Sequence, residues 1–261
     1  MILFQPKHSE YDAALDYALS NGLGFELTDF MFAPVLDDAD ACSSLVKRFD
    51  GAPVKAFHGP FADLNFSGGD PDIQEITEKR ITRCCECAAE LGVTKMVLHS
   101  CFFPLMPPDD ILYRLWSENS AEVLIRLAEK FGITFCIENL LDITPAIIEG
   151  ILKKANGHPL IRVCLDAGHA NLSRTEQKEW NRTLSPWLSH FHLSDNGGIY
   201  DDHLALGDGT VDWDGFFSSL SPSGGNVDFT VEVNGLNRVR RSVEWLKTNG
   251  KFDLLLSYES R

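Results

Sequence analysis

Short apolar runs alternate with longer amphipathic ones along the whole of this 261-residue chain. The short runs are ILFQ (2–5), GFELT (24–28), VKAFH (54–58), KMVLH (95–99), TFCIE (134–138), IRVCLD (161–166), LSHFHL (188–193) and DFTVEV (228–233). Their length and their β-branched and aromatic content predict strands. Between them, apolar positions recur at helical spacing over 9–21, 38–50, 71–91, 110–131, 144–155 and 236–248, and less regularly over 173–182. Gly92 and Gly132 stand just past two of these helices, where a left-handed residue ends a helix. Near-continuous apolar strands argue for a parallel sheet covered by helices. Eight strand–helix repeats in a chain of this length predict a (β/α)8 TIM barrel, α/β in class, with residues 1–261 as one domain. A doubly wound open sheet is the competitor, but no glycine-rich phosphate loop follows the first run.

The ionisable residues fall at one place in this pattern. The third to eighth runs end in or carry His58, His99, Glu138, Asp166, His192 and Glu232. In a barrel these positions face the end where the βα loops build the active site. Two residues before each stand Ala56, Val97, Cys136, Cys164, His190 and Thr230, which share its face. Most are small or apolar, as suits an interior layer under a polar mouth; His190 is either a partly buried supporting group or the mark of a bend in its strand. Any one of these residues alone reads best as a hydrogen-bonded strand end. Six on successive strands argue for a cation, since converging carboxylates would otherwise repel one another. CLDAGHA (164–170) adds His169 three residues beyond Asp166, as a helix-cap neighbour or a further ligand. DDHLALGDG (201–209) adds Asp201 and His203, two apart and able to chelate one ion, with Gly207 and Gly209 to turn the chain.

Composition narrows the function. With 44% hydrophobic and 23% charged residues, the chain is of ordinary soluble type. No apolar run reaches membrane-spanning length. The start, MILFQPKHSEYD, lacks a basic segment and a long apolar stretch, so a cytoplasmic location is expected. Seven scattered cysteines predict reduced thiols, and Cys84-x-x-Cys87, inside a helical pattern, reads as packing. A net charge of −15 disfavours polyanionic partners.

FHGPF (57–61), LHS (98–100), IEN (137–139), CLDAGHA (164–170), FHLSDN (191–196), DDHLALGDG (201–209) and VEVNG (231–235) together resemble the xylose-isomerase-like barrels. That superfamily holds sugar isomerases and epimerases, inosose dehydratase-type enzymes and the endonuclease IV branch of DNA repair. The resemblance covers nearly the whole chain. In the isomerase and epimerase branch it implies one metal on Glu138, Asp166, His192 and Glu232. In the endonuclease IV branch it implies three zinc ions, with His58, His99, His169, Asp201 and His203 as further ligands.

Two chemistries follow. The first is a divalent-metal-dependent isomerase or epimerase of a small sugar or polyol. Its metal, one ion of Mn, Zn, Co or Mg, holds a carbonyl and a neighbouring hydroxyl oxygen and stabilises an enediolate. Glu138 and Glu232 pass the proton, and His58, His99, Phe61 and Phe102 shape the pocket. The second is an endonuclease IV-like zinc phosphoesterase with a trinuclear site. The mouth segments 62–72, 100–110 and 194–202 are acidic, and only Arg238, Arg240 and Arg241 gather near a strand end. Nucleic acid is therefore disfavoured and the isomerase preferred. A barrel that binds without catalysis ranks last, because it would not need converging carboxylates. The resemblance also implies homo-oligomers, since dimers and tetramers are common among such enzymes.

Overall fold

In a computed structural model, eight parallel strands close into a barrel in sequence order. The structure describes residues 1–102, 110–173, 175–221 and 226–258, with backbone alone at 33, 34 and 39. The strands are β1 (Ile2–Phe4), β2 (Gly24–Leu27), β3 (Val54–His58), β4 (Lys95–His99), β5 (Thr134–Glu138), β6 (Ile161–Asp166), β7 (Leu188–Leu193) and β8 (Asp228–Val231). The helices that wrap them are α1 (Tyr11–Asn21), α2 (Ala33–Asp37), α3 (Ala39–Arg48), α4 (Pro71–Glu90), α5 (Ile111–Phe131), α6 (Ala146–Lys154), α7 (Ala167–Leu172), α8 (Gln177–Leu184), α9 (Trp213–Ser219), α10 (Leu236–Thr248) and α11 (Phe252–Leu256). The predicted (β/α)8 TIM barrel is the fold. The segment expected as one helix over 38–50 is preceded by α2, and β8 ends before Glu232 rather than after it.

Alternation along the strands separates two interiors. Outward side chains such as Phe57, Leu98, Ile137, Leu165, Phe191 and Phe229 join the main core between sheet and helices. Inward ones fill the barrel: Val97, Cys136 and Cys164 form a small apolar cluster of their own. The same interior also holds polar groups, with Glu26, His190 and Thr230 all fully buried. The β6–β7 register shifts between Val163 and Cys164, so His190 pairs with Cys164 and His192 with Asp166. That bulge is the irregularity His190 signalled, and it brings Asp166 and His192 level at the mouth. At the opposite end, Lys95 reaches Asp228 at 2.5 Å and the Ser189 carbonyl at 3.0 Å, closing the bottom with a charge-assisted pair.

The cysteines depart from expectation. Cys42 on α3 and Cys87 on α4 form a disulfide with Cα atoms 5.8 Å apart. They are 45 residues apart in sequence, so no local spacing announces the pair. The other five cysteines are free thiols. Of the Cys84-x-x-Cys87 pair, read from the sequence as packing, only Cys84 is a plain core thiol, while Cys87 is bonded to Cys42; burial raises the pKa of Cys84 and of its neighbour Cys85 and makes both inert.

Candidate metal centre

All nine residues singled out in the sequence meet at the C-terminal mouth of the barrel. Glu138, Asp166, His192 and Glu232 form the tightest set, each offering a donor atom within 4.8 Å of the others'. His192 Nδ1 lies 2.7 Å from Glu232 Oε2, 3.2 Å from Glu138 Oε1 and 3.9 Å from Asp166 Oδ2. A second set, His58, His99 and Glu138, is as compact. Both imidazole Nε2 atoms are 3.3 Å from Glu138 Oε2, so Glu138 turns one oxygen to each set. The third set is looser and more open. Asp201 Oδ2 stands 3.3 Å from His169 Nε2 and 2.8 Å from His203 Nε2, and a third of its side chain is exposed.

These residues fit a divalent cation by a direct observation. Glu138 Oε2, Asp166 Oδ2 and Glu232 Oε2 are buried, and none accepts a hydrogen bond among the described residues. The imidazole nitrogens lie close without aiming N–H groups at them. Three acceptor oxygens left uncompensated in one small volume would be costly unless a cation took their lone pairs. The protonation pattern agrees. Burial raises the Asp166 pKa to about 7, with the Glu232 and Glu138 charges adding and His169 and His192 opposing. Burial also opposes ionisation of Glu138 and Glu232, but the surrounding imidazoles together outweigh it, His192 with His99 and His169 holding Glu138 well below the usual carboxylate range and His192 with His203 holding Glu232 at about 2. His192 and His169 in turn sit well above an ordinary imidazole: burial lowers them, but Cys164 with the surrounding carboxylates prevails at His192, and the carboxylates Asp166, Asp201 and Glu138 prevail at His169.

Each side chain is held by its neighbours. Asp166 is both a cap and a ligand candidate: Oδ1 caps α7 by accepting the His169 N–H, which leaves Oδ2 for the site. Asn139, next to Glu138, donates to the Asp166 carbonyl at 3.0 Å and accepts the Asp166 N–H at 2.9 Å, locking β5 to β6. Asp195, just past β7, accepts from the N–H groups of Asn196, Gly207 and Val211 and from the Trp213 indole. Its backbone also pairs with Leu204. The loop carrying Asp201 and His203 is thereby folded back over the mouth. Gly207 takes the positive φ its turn needs, +85°. Gly209 has a different reason: a Cβ there would lie 2.3 Å from the Asn196 carbonyl oxygen. His203 itself is held at φ +45°, with Nδ1 3.0 Å from the Glu232 carbonyl, a backbone strain of the kind found at functional positions.

A cavity of about 590 Å³ opens beside Glu232 and His203 and runs past Lys7, His8, Tyr11 and Asp29. It is of the size that takes a small ligand. Phe61 packs against the His99 ring with centroids 4.4 Å apart, where a pocket wall was expected. Phe102 is not among the residues lining this cavity: it is buried, with its ring packed against those of Tyr113 and Trp116 on α5. The basic cluster is occupied within the fold. Arg238 holds the Asp202 and His203 carbonyls, Arg241 pairs with Asp208, and Arg240 lies over the Tyr17 ring. Of the acidic segment 100–110, residues 103–109 lie outside the described residues. No helix among the described residues is long and apolar enough to cross a membrane.

Glu26 on β2 is the residue the sequence reading missed. Its carboxylate is fully buried and meets both His190 and His192. The available signal was an acid flanked by Phe25 and Leu27 in an otherwise apolar strand, a position that demands a buried partner.

A model of the xylose isomerase-like TIM barrel family matches residues 16–249. The uncharacterized protein MJ1311 of Methanocaldococcus jannaschii is 27% identical over 208 residues, covering 73% of this chain and 68% of that one. D-psicose 3-epimerase of Ruminiclostridium cellulolyticum is 24% identical over 242 residues, 85% of this chain and 79% of its own. Among solved structures, the TTHB071 protein of Thermus thermophilus, soaked with ZnCl2, superposes with a TM-score of 0.77 at 26% identity over 95% of this chain and 96% of that one.

Proposed function

The chain belongs to the xylose isomerase-like TIM barrel family, and from that premise we propose that it is a divalent-metal-dependent isomerase or epimerase of a small sugar or polyol. One observation carries the reading. Four donors, Glu138, Asp166, His192 and Glu232, converge within 4.8 Å, and Glu232, alone among them not fully sealed, borders the cavity. The similarity to a D-psicose 3-epimerase supports it. A cation held there would polarise a carbonyl and its neighbouring hydroxyl, acidifying the C–H between them. Glu232, ionised at neutral pH and facing the cavity, takes that proton. Glu138 returns one, drawn from His58, whose pKa the neighbouring carboxylates raise against burial and whose Nε2 lies 3.3 Å from Glu138 Oε2. The His169–Asp201–His203 side of the mouth holds substrate hydroxyls.

The test is proton exchange. The protein loaded in turn with Mn, Co, Mg or Zn is incubated with free ketopentoses and ketohexoses in deuterated water. Deuterium should enter next to the carbonyl of at least one. If no sugar exchanges with any of these metals, the reading fails.

A second reading is favoured by a specific observation: the His58–His99–Glu138 set and the pair of imidazoles on Asp201 give a ligand type for three ions. It is a zinc phosphoesterase of the endonuclease IV kind. The engagement of Arg238 and Arg241 within the fold and the charge of −15 weigh against a nucleic-acid substrate. About three zinc ions per chain with hydrolysis of a phosphodiester would establish this alternative. Replacing His169→Ala separates them further: a one-metal isomerase keeps its ion, and a trinuclear site loses one.

A further inference from the structure

We infer that Glu26 is a positioning residue that fixes the ring of His192 with Nε2 protonated, so that Nδ1 presents its lone pair to the metal site. The inference rests on the proposed metal reading and assigns a role to a strand, β2, that carries none of the candidate ligands.

The geometry divides the His192 ring between two carboxylate environments. On the mouth side, Nδ1 faces Glu232 Oε2, Glu138 Oε1 and Asp166 Oδ2. On the barrel side, Nε2 lies 3.1 Å from each oxygen of Glu26. An imidazole ligates through one nitrogen only when the proton sits on the other, so whatever occupies Nε2 decides what Nδ1 can do. An ionised carboxylate has no proton to give and must accept. Glu26 is held to that role from every side. Gln5 Nε2 donates to Oε1 at 3.1 Å, and His190 Nε2 and the Thr230 hydroxyl contact Oε2 at 2.8 and 2.7 Å. His190, His192 and Thr230 are fully buried, as Glu26 is.

A barrel interior needs no such group. On its other side the same layer is filled by Val97, Cys136 and Cys164. A buried acid with four partners carries a desolvation cost that apolar packing would avoid. The polar half of the layer lies directly beneath the one imidazole of the tight four-donor set, where that cost sets the ring's tautomer and angle.

The experiment uses zinc alone as the probe and reads the His192 imidazole by nitrogen-15 NMR, with zinc affinity by chelator competition. The test variant is Glu26→Gln. Its amide oxygen can still face His192 while its NH2 meets the Thr230 hydroxyl and a re-tautomerised His190, so the shape is kept and the charge removed. In the wild type, zinc should shift His192 Nδ1 and leave a protonated, hydrogen-bonded Nε2. In Glu26→Gln, affinity at this site should fall roughly 10–100-fold, and the Nε2–H resonance should move upfield. Wild-type protein that binds zinc with His192 Nε2 as the ligand overturns the inference without any variant, should Glu26→Gln fail to fold. So does a folded Glu26→Gln protein with affinity within about threefold of wild type, and in both cases the metal reading stands. Wild-type protein that takes up no zinc at His192 overturns the metal reading and this inference together.

Discussion

Asp195 offers a test of the site's scaffold that needs no knowledge of substrate or metal. Its Oδ1 accepts the N–H groups of Asn196 (2.9 Å) and Val211 (3.1 Å), and its Oδ2 accepts the Gly207 N–H and the Trp213 indole N–H, both at 2.9 Å. The substitution Asp195→Asn keeps volume and one oxygen. The new NH2 group must face two donors whichever way it turns, so two hydrogen bonds are lost and two N–H groups oppose a third. Hydrogen bonds to a charged group contribute about 1.5–3 kcal/mol each. The amide will settle toward Gly207, whose N–H is only partly buried and can turn to water, and toward the buried Trp213 indole, which cannot. Discounting the first bond for solvent leaves a net destabilisation of about 3 kcal/mol. For a chain of this size that lowers Tm by roughly 6–12 °C. Urea unfolding followed by tryptophan fluorescence reads the loss directly, since Trp213 is one of the reporters. A change below about 1 kcal/mol would refute the claim that this carboxylate organises the loop.

Three further outcomes are expected. Burial raises the Asp142 pKa to about 6, so the native state binds the proton more tightly than the unfolded chain does and stability falls as pH rises from about 4 through 6. Asp142→Asn removes that loss. Its stability relative to wild type should improve by about 3 kcal/mol between pH 4 and pH 8 in denaturant titrations, and a pH-independent difference would contradict the reasoning. Asn139→Ala leaves the buried Asp166 N–H and C=O without their partners, for a loss of about 2–4 kcal/mol and weaker metal uptake; unchanged unfolding and uptake would show that β5 and β6 need no such lock. Raised His192 and His169 pKa values mean that a metal must displace protons even near neutrality. Calorimetry in buffers of different ionisation enthalpy should therefore show proton release on zinc binding, with affinity rising as pH rises; a titration with no buffer dependence would rule this out.

What could be read from the sequence was whatever one strand carries by itself. Runs such as 134–138 and 161–166 are apolar over most of their length and close on a carboxylate, so both the strand bounds and the ligand candidates Glu138 and Asp166 stand out locally. The short helix α7 is different. Its six residues are too few to show a helical period, and only the Asp166 cap marks it. Glu26 was missed because its meaning lies across the barrel: its partners His190 and His192 are 164 and 166 residues away. The same distance problem hides the Cys42–Cys87 disulfide. Phe102 was misplaced because a residue a few steps past a strand end can turn either to the mouth or to the helix layer, and only the packing of Tyr113 and Trp116 decides which.

The nine mouth residues hang from two kinds of support, and this bears on how many ions the site can hold. Glu138, Asp166 and His192 stand on strands and Glu232 one residue beyond β8, with Asn139 and Glu26 fixing two of them from within the barrel. Asp201 and His203 sit on a loop whose shape depends on Asp195 and on the grip of Arg238 on the His203 carbonyl. A four-donor metal should therefore survive loosening of that loop, whereas any ion on the His169–Asp201–His203 side should not. Asp195→Asn thus does more than weaken the fold. If zinc per chain is the same in wild type and variant while the loop is demonstrably loosened, the loop residues serve the substrate, as the isomerase reading requires. If one zinc disappears with the loop, the extra imidazoles are ligands and the phosphoesterase reading gains the ground.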